Sequence, residues 1–218
     1  MTETIEATVP IKCVLLGETA VGKTSLINRF VNDVFQDNFV PTMVGCYSSK
    51  DIFYDKANRK IKYEIWDTAG QEKYRSINKI FYQDAYINIL VYDITKKNTF
   101  KALKDYWIEE IKENGPRDAI IIIAENKSDL YEHEAVDEDE VRKYCKNIDA
   151  IYQLTSAQTG EGVNELFNKI GKELLIPRNL EQFKKFNEKK KEFDNSKNAV
   201  YAINNTNNNN NRRKKGCC

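Results

Sequence analysis

Short, nearly continuous apolar runs alternate along this chain with longer stretches whose apolar residues recur every three or four positions. Ile11–Leu16 reads as a buried strand and Lys23–Val31 as the helix after it. Lys50–Tyr54 and Lys60–Trp66 read as two strands joined by the polar turn Asp55–Arg59. Ile87–Tyr92 and Ala119–Ala124 lack the alternation of a half-exposed strand, so both are expected to be covered on both faces. Between them, Phe100, Leu103, Trp107, Ile108 and Ile111 give Thr99–Glu113 a helical stripe. Val141, Tyr144 and Cys145 do the same for Asp137–Lys146, and Val163, Leu166, Phe167, Ile170 and Leu174 for Val163–Leu175, with Ile151–Leu154 a last strand and Pro177 the stop. Strands alternating with helices predict an α/β fold: a six-stranded, mostly parallel sheet with helices on both faces and one antiparallel edge strand from the 50–66 pair.

Composition narrows the class. An apolar share of 41% over 218 residues fills a core of one domain plus an extension. The five cysteines are scattered with no C-x-x-C, which argues against a disulfide framework or a zinc site and fits a reducing compartment. Cys13, Cys46 and Cys145 are expected to be small apolar fillers. No run approaches the roughly 18 apolar residues of a membrane span. Residues 1–10 carry two Glu and no apolar block, so no signal peptide is expected, and Thr2 excludes N-myristoylation. The net charge of +1 hides an asymmetry: residues 1–177 hold 23 Lys and Arg against 29 Asp and Glu, while residues 178–218 hold 11 against 4. A basic tail on a mildly acidic body points to a negatively charged surface as the tail's partner.

Motifs fall where the pattern ends its strands, and in an open α/β sheet the carboxyl ends of strands are where ligands bind. Gly17-Glu18-Thr19-Ala20-Val21-Gly22-Lys23-Thr24 fits G-x-x-x-x-G-K-[ST] after a strand and before a helix, so its backbone N–H groups and the helix terminus form an anion nest. Lys23 is expected to reach the β- and γ-phosphates and Thr24 to ligate Mg²⁺. Asp67 follows the strand end Ile65-Trp66, where a carboxylate can hold Mg²⁺ through water; Gly70 offers a backbone N–H to the γ-phosphate; the Gln71 amide can orient an attacking water. Taken alone, Asp67 also suits a helix cap and Gln71 a solvated loop. Asn126-Lys127-Ser128-Asp129 selects the base, because the Asp129 carboxylate can accept from N1–H and the N2 amino group of guanine, whereas adenine leaves it unpaired. The Lys127 stem can lie on the ring.

With these motifs assembled, the chain resembles a Ras-superfamily small GTPase, and within it the Rab family, over about residues 10–176. The Rab character rests on Trp66-Asp67-Thr68-Ala69-Gly70-Gln71-Glu72-Lys73-Tyr74-Arg75-Ser76-Ile77, on Val91-Tyr92-Asp93-Ile94-Thr95, and on the terminal Cys217-Cys218; the Gly17–Lys23 loop is similar to that of endosomal Rabs. The resemblance implies a P-loop NTPase fold, with Gly17, Ala20, Val21, Gly22, Lys23, Thr24, Ser25, Phe35, Thr42, Gly70, Asn126, Lys127, Asp129, Ser156 and Ala157 binding GTP or GDP. Thr24, Thr42 and Asp67 would hold Mg²⁺, and Gln71 would act in catalysis. By that register Phe35 packs edge-on against guanine, and the backbone N–H groups of Ser156 and Ala157 face its oxygen. Three departures stand out: Gln158 replaces the usual Lys of the fifth motif, the first switch reads Thr42-Met43-Val44-Gly45 and is one residue longer, and Phe81-Tyr82-Gln83-Asp84-Ala85 replaces Tyr-Tyr-Arg-Gly-Ala.

The resemblance therefore implies residues 1–9 as an N-terminal extension, 10–177 as a G domain that is monomeric, and 178–218 as a flexible hypervariable tail. The tail holds seven Asn and one Thr at 204–211, then Arg212-Arg213-Lys214-Lys215-Gly216-Cys217-Cys218. Both terminal cysteines would be prenylated; two lipids anchor stably where one does not, and the basic residues add attraction to an anionic leaflet. The expected function is a GTP/GDP switch of vesicle and membrane trafficking that hydrolyses GTP slowly by itself. Its implied partners are an exchange factor, a GTPase-activating protein, a prenyl-dependent escort or dissociation inhibitor, and effectors that read the switch segments 36–46 and 70–80; no nucleic acid is expected. Its implied place is the cytoplasmic face of endomembranes, endosomal among them, cycling with the cytosol. Trp66, Phe81 and Tyr47 suit either effector contact or core packing, and His133 is expected in solvent. A hydrolysis-deficient, membrane-tethered scaffold and a P-loop kinase or ATPase are the rival readings; the first is opposed by Gln71 and Thr42, the second by Asn126–Asp129.

Overall fold

The computed structural model describes residues 6–36, 42–43, 45–70 and 75–194, the side chains of 6–7 and 75–77 excepted. In chain order the elements are β1 (Glu6–Leu16), α1 (Lys23–Asn32), β2 (Cys46–Tyr54), β3 (Arg59–Asp67), α2 (Arg75–Tyr82), β4 (Ile87–Asp93), α3 (Lys97–Ala102) running through a π-helical stretch, Leu103–Trp107, into α4 (Ile108–Asn114), β5 (Ile120–Asn126), α5 (Glu138–Asn147), β6 (Ile151–Thr155) and α6 (Val163–Leu174). The sheet order is β2-β3-β1-β4-β5-β6, with β2 antiparallel to β3 and every other pair parallel. This is the six-stranded sheet with one antiparallel edge that the pattern predicts.

β1 lies between β3 and β4. The chain builds outward to one side through β3 and then to the other through β4, so the order reverses at β1 and opens a crevice at its carboxyl end. All seven residues of β4 are buried, as its unbroken apolar run requires of a strand covered twice. Helix spacing delivers the cover: Phe100 of α3, Leu103 and Trp107 of the π-helical stretch, and Ile108 and Ile111 of α4 join Val141 and Cys145 of α5 in one core cluster with Leu90 and Ile123. Burying each such side chain contributes about 1.5–3 kcal/mol before entropy is charged against it. Asp137 caps α5 by accepting from the Asp139 amide at 2.7 Å, and three acidic residues follow in the first turn, where the helix dipole favours them.

Three expectations need correction. Residues 6–9 belong to the sheet and not to an N-terminal extension: β1 begins at Glu6, opposite Arg59, with a register shift before Val9 pairs Ile61. Pro10 hid that start, but it is tolerated because β1 has only β3 beside it there; pairing with β4 begins at Cys13. Residues 177–194 form a helix within the segment read as a flexible tail, and this helix belongs to a separate unit that begins at Leu174. Proline at a first helical position needs no N–H partner, so Pro177 opens a helix as well as ending α6. Glu181 and Lys185 then pair one turn apart at 2.7 Å. Residues 195–218, with Cys217 and Cys218, lie outside the described residues. Finally, Cys46 is exposed, whereas Cys13 and Cys145 are buried as expected; His133 is exposed.

Candidate functional site

The P-loop joins β1 to α1. Gly22 takes φ +98°, and a Cβ there would stand 2.2 Å from the Asn126 amide nitrogen. No side chain caps α1, and its first turn carries no acidic residue. A helix start left that way keeps its orphan N–H groups and positive dipole end for an anion. Lys23 folds back over the loop, and its Nζ donates to the Gly17 and Glu18 carbonyls, both at 2.9 Å. Burial lowers its pKa to about 8, against the opposite pull of Asp67 and Glu18.

That depression makes a prediction. A phosphate-bearing ligand favours charged Lys23 and so raises its pKa on binding. Affinity is then full below about pH 8, with almost no proton taken up, and falls as pH rises through that value by at most about tenfold per pH unit, as uptake approaches one proton per ligand. Calorimetric binding across pH in two buffers of different ionisation heat reads both quantities; a flat profile contradicts it.

Beside the loop, three oxygens meet. Thr24 Oγ1 donates to Asp67 Oδ2 at 2.6 Å and lies 2.9 Å from Thr42 Oγ1, which is itself 3.3 Å from Asp67 Oδ2. Asp67 is buried, and its Oδ1 has no hydrogen-bond partner among the described residues. An orphaned carboxylate oxygen beside two hydroxyls is a donor set of hard oxygens, which fits Mg²⁺ held by one carboxylate together with ligand phosphates. Among the described residues no cluster of three or more acidic, His or Cys side chains offers a self-sufficient metal cage. Thr24 and Thr42 line a cavity of about 20 Å³ together with Lys23, Thr68 and Gly70. A Cβ on Gly70 would stand 2.6 Å from both Lys23 Nζ and the Glu18 carbonyl oxygen, so the main chain closes this wall as only glycine allows.

A larger cleft of about 540 Å³ adjoins it and shares Ala20, Gly22, Thr24 and Ser25 in its walls. Phe35, Asn126, Lys127, Asp129 and Ala157 also line it, as do Gln158, the departure in the fifth motif, and Asn28, Gln36 and Leu130, which no motif singled out. Strand register builds its base-reading end. Asp93, Asn126 and Thr155 stand opposite one another at the carboxyl ends of β4, β5 and β6. Asn126 is buried and braces the floor: its Nδ2 donates to the Val21 carbonyl at 2.7 Å, and its Oδ1 accepts from the Ala157 amide at 3.3 Å. Lys127 takes φ +70° and pairs its Nζ with Asp93 Oδ2 at 2.6 Å. Burial alone would raise the Asp93 pKa; the bonds from Lys127 and Thr95 outweigh it and lower it instead.

Ser156 plays a different part from the one expected. Its hydroxyl donates to Asp129 Oδ1 at 2.5 Å, and its amide N–H already donates to the Glu161 carbonyl at 2.9 Å. It therefore aims the carboxylate, while the Ala157 amide keeps only the long bond to Asn126. Gly17, Val21, Asp67 and Ser156 support the walls without lining either cavity. Gln71 lies outside the described residues. Tyr47, Trp66 and Phe81 form a continuous aromatic cluster, with ring centroids 5.4 and 5.5 Å apart. Met43 and Ile80 are each 70% exposed, and Tyr47 of the cluster is 49% exposed.

Comparison with known proteins agrees with this geometry. A family model described as the Ras family matches residues 12–176. Over 180 residues the chain is 38% identical to Ras-related protein RabJ of Dictyostelium discoideum, covering 83% of this chain and 69% of that one. Human Ras-related protein Rab-22A is 40% identical over 164 residues, 75% of this chain and 83% of its own. GTP-binding protein ypt5 of Schizosaccharomyces pombe is 41% identical over 172 residues, 78% of this chain and 81% of its own.

Proposed function

Because this chain belongs to the Ras family, and within it to the Rab small GTPases, we propose that its two adjoining cavities hold the two ends of one guanine nucleotide. It is a GTP-hydrolysing switch of membrane trafficking that uses GTP, GDP and Mg²⁺. The observation that carries the site assignment is continuity: Ala20, Gly22, Thr24 and Ser25 wall both cavities, with the Asp67 oxygens at one end and the Asp129 carboxylate at the other.

Each residue then has a task set by its surroundings. Asp129, held by Ser156, accepts from the two donors on the guanine edge. Lys127, held by Asp93, lays its stem along the base, and Phe35 closes the side. The α1 terminus and Lys23 take the phosphates. Mg²⁺, when bound, neutralises charge on the phosphate oxygens. Thr24 and Asp67 would hold it in both nucleotide states, and Thr42 would join them while the γ-phosphate is present. Gln71 would orient the attacking water. Loss of the γ-phosphate removes what Thr42 and the Gly70 N–H grip, so the segments 36–46 and 70–80 lose their tie to the nucleotide.

Endomembrane association follows from the family. The finer reading is ours: the cytoplasmic face, cycling with the cytosol, prenylation at Cys217 and Cys218, escort by a prenyl-dependent dissociation inhibitor, and effectors that dock on Tyr47, Trp66 and Phe81. The closest test identifies the copurified nucleotide and then times one turnover. GDP with slow loss of loaded GTP is expected, and Gln71→Leu should retain GTP for longer than wild type. ADP or ATP in the pocket would overturn the role of Asp129, and hydrolysis unchanged in Gln71→Leu would overturn that of Gln71.

A further inference from the structure

Arg29 lies on α1 and lines neither cavity. Its guanidinium nevertheless reaches one distant segment of the wall and the end of its own helix. Nε donates to the Ala157 carbonyl at 2.9 Å, and one terminal nitrogen donates to the Gln158 carbonyl at 2.8 Å. The other terminal nitrogen donates to both the carbonyl and the carboxylate of Asp33 at 3.0 Å. Asp33 is the left-handed cap that ends α1, and its N–H closes back on Arg29 and Asn28 carbonyls. Two residues beyond that cap is Phe35.

One side chain thus joins both walls of the cleft where the base sits. Ala157 and Gln158 form one wall, and the segment from Asp33 to Phe35 leads into the other. The Arg29 side chain is only 17% exposed, so its planar fork is held in place, and the bonds it gives are charge-assisted. We propose that Arg29 is a positioning residue for guanine: it fixes the distance between these walls, and so sets how long the nucleotide stays and how well Asp129 reads the 2-amino group. Ser156, next to Ala157, holds Asp129, so slack at Ala157–Gln158 passes directly to the carboxylate. This inference rests on the guanine reading of the cleft.

The test uses the full chain loaded with GDP, GTP or inosine triphosphate, which lacks the 2-amino group. Arg29→Ala is expected to release GDP and GTP on the order of tenfold faster, because several charge-assisted bonds are lost at once. Its preference for GTP over inosine triphosphate should fall by a similar factor. Arg29→Lys keeps the charge but offers a compact point donor that cannot span four acceptor atoms on three residues, so it should lie nearer Arg29→Ala than wild type; it also decides the matter should Arg29→Ala not fold. Release rates equal to wild type in Arg29→Lys overturn the proposal. So does faster release with an unchanged GTP-to-inosine-triphosphate preference, which signals general loosening. A wild-type protein that holds no guanine nucleotide sinks the reading of the cleft itself, a result distinct from either.

Discussion

Gly22→Ala is expected to weaken GDP binding by about 100-fold or more, as buried hydrogen bonds and backbone strain combine. The backbone at Gly22 has φ +98°, which an L side chain adopts only under strain, and the added methyl carbon would sit 2.2 Å from the Asn126 amide nitrogen. Asn126 has nowhere to retreat. It is 1% exposed and bonded to both Val21 and Ala157, so pushing it out unties the P-loop from the base-reading loop in one move. The mechanism is separable from strain alone by a double-mutant cycle. Asn126→Ala removes the obstacle as well as the brace, so Gly22→Ala in that background should cost far less than in wild type. Equilibrium binding of fluorescent GDP measures all four proteins. Normal binding by Gly22→Ala, or losses that add in full, would show that the clash does not govern the site.

The same residues show what can be read before a structure is in hand. Gly22, Lys23, Asp67, Asn126 and Asp129 are legible because phosphate, metal and base each demand particular groups at fixed spacing after a strand. β4 and β5 are legible to within a residue or two because unbroken apolar runs have few other uses. What stayed hidden depends on distant partners. Arg29 looks like any exposed cation of an amphipathic helix, and its acceptors lie 128 and 129 residues away. Ser156 was placed by its motif, but only the Glu161 carbonyl shows that its amide is occupied. α2 hides within the segment that the resemblance marks as a switch, and the helix over 177–194 within a charged run whose scattered Phe residues resemble a solvated tail.

Asp67→Asn should separate stability from function in opposite directions. Burial raises the Asp67 pKa, against lowering by the Thr24 hydroxyl, the Lys23 charge and the Thr42 hydroxyl. A carboxyl whose folded pKa stands above its unfolded one, about 3.9, leaves stability intact below the unfolded value and costs it as pH rises toward the folded value. Charging Asp67 in the EDTA-treated, nucleotide-free protein therefore costs stability as pH rises, with Oδ1 unpartnered among the described residues. The asparagine variant removes that charge and keeps an oxygen for Thr24, so its ligand-free melting temperature should match or exceed that of wild type at neutral pH. That advantage should vanish in acid. With Mg²⁺ and GTP the order reverses, because only the wild type gains the full binding contribution to stability. Single-turnover hydrolysis in the variant should fall by roughly 10²–10³, the scale of losing one preorganised electrostatic contact. Thermal unfolding with and without ligand, across pH, reads the first effect, and phosphate release reads the second. A variant that is less stable when empty yet hydrolyses GTP at the wild-type rate would mean that Asp67 is a structural cap, the alternative its sequence position alone leaves open.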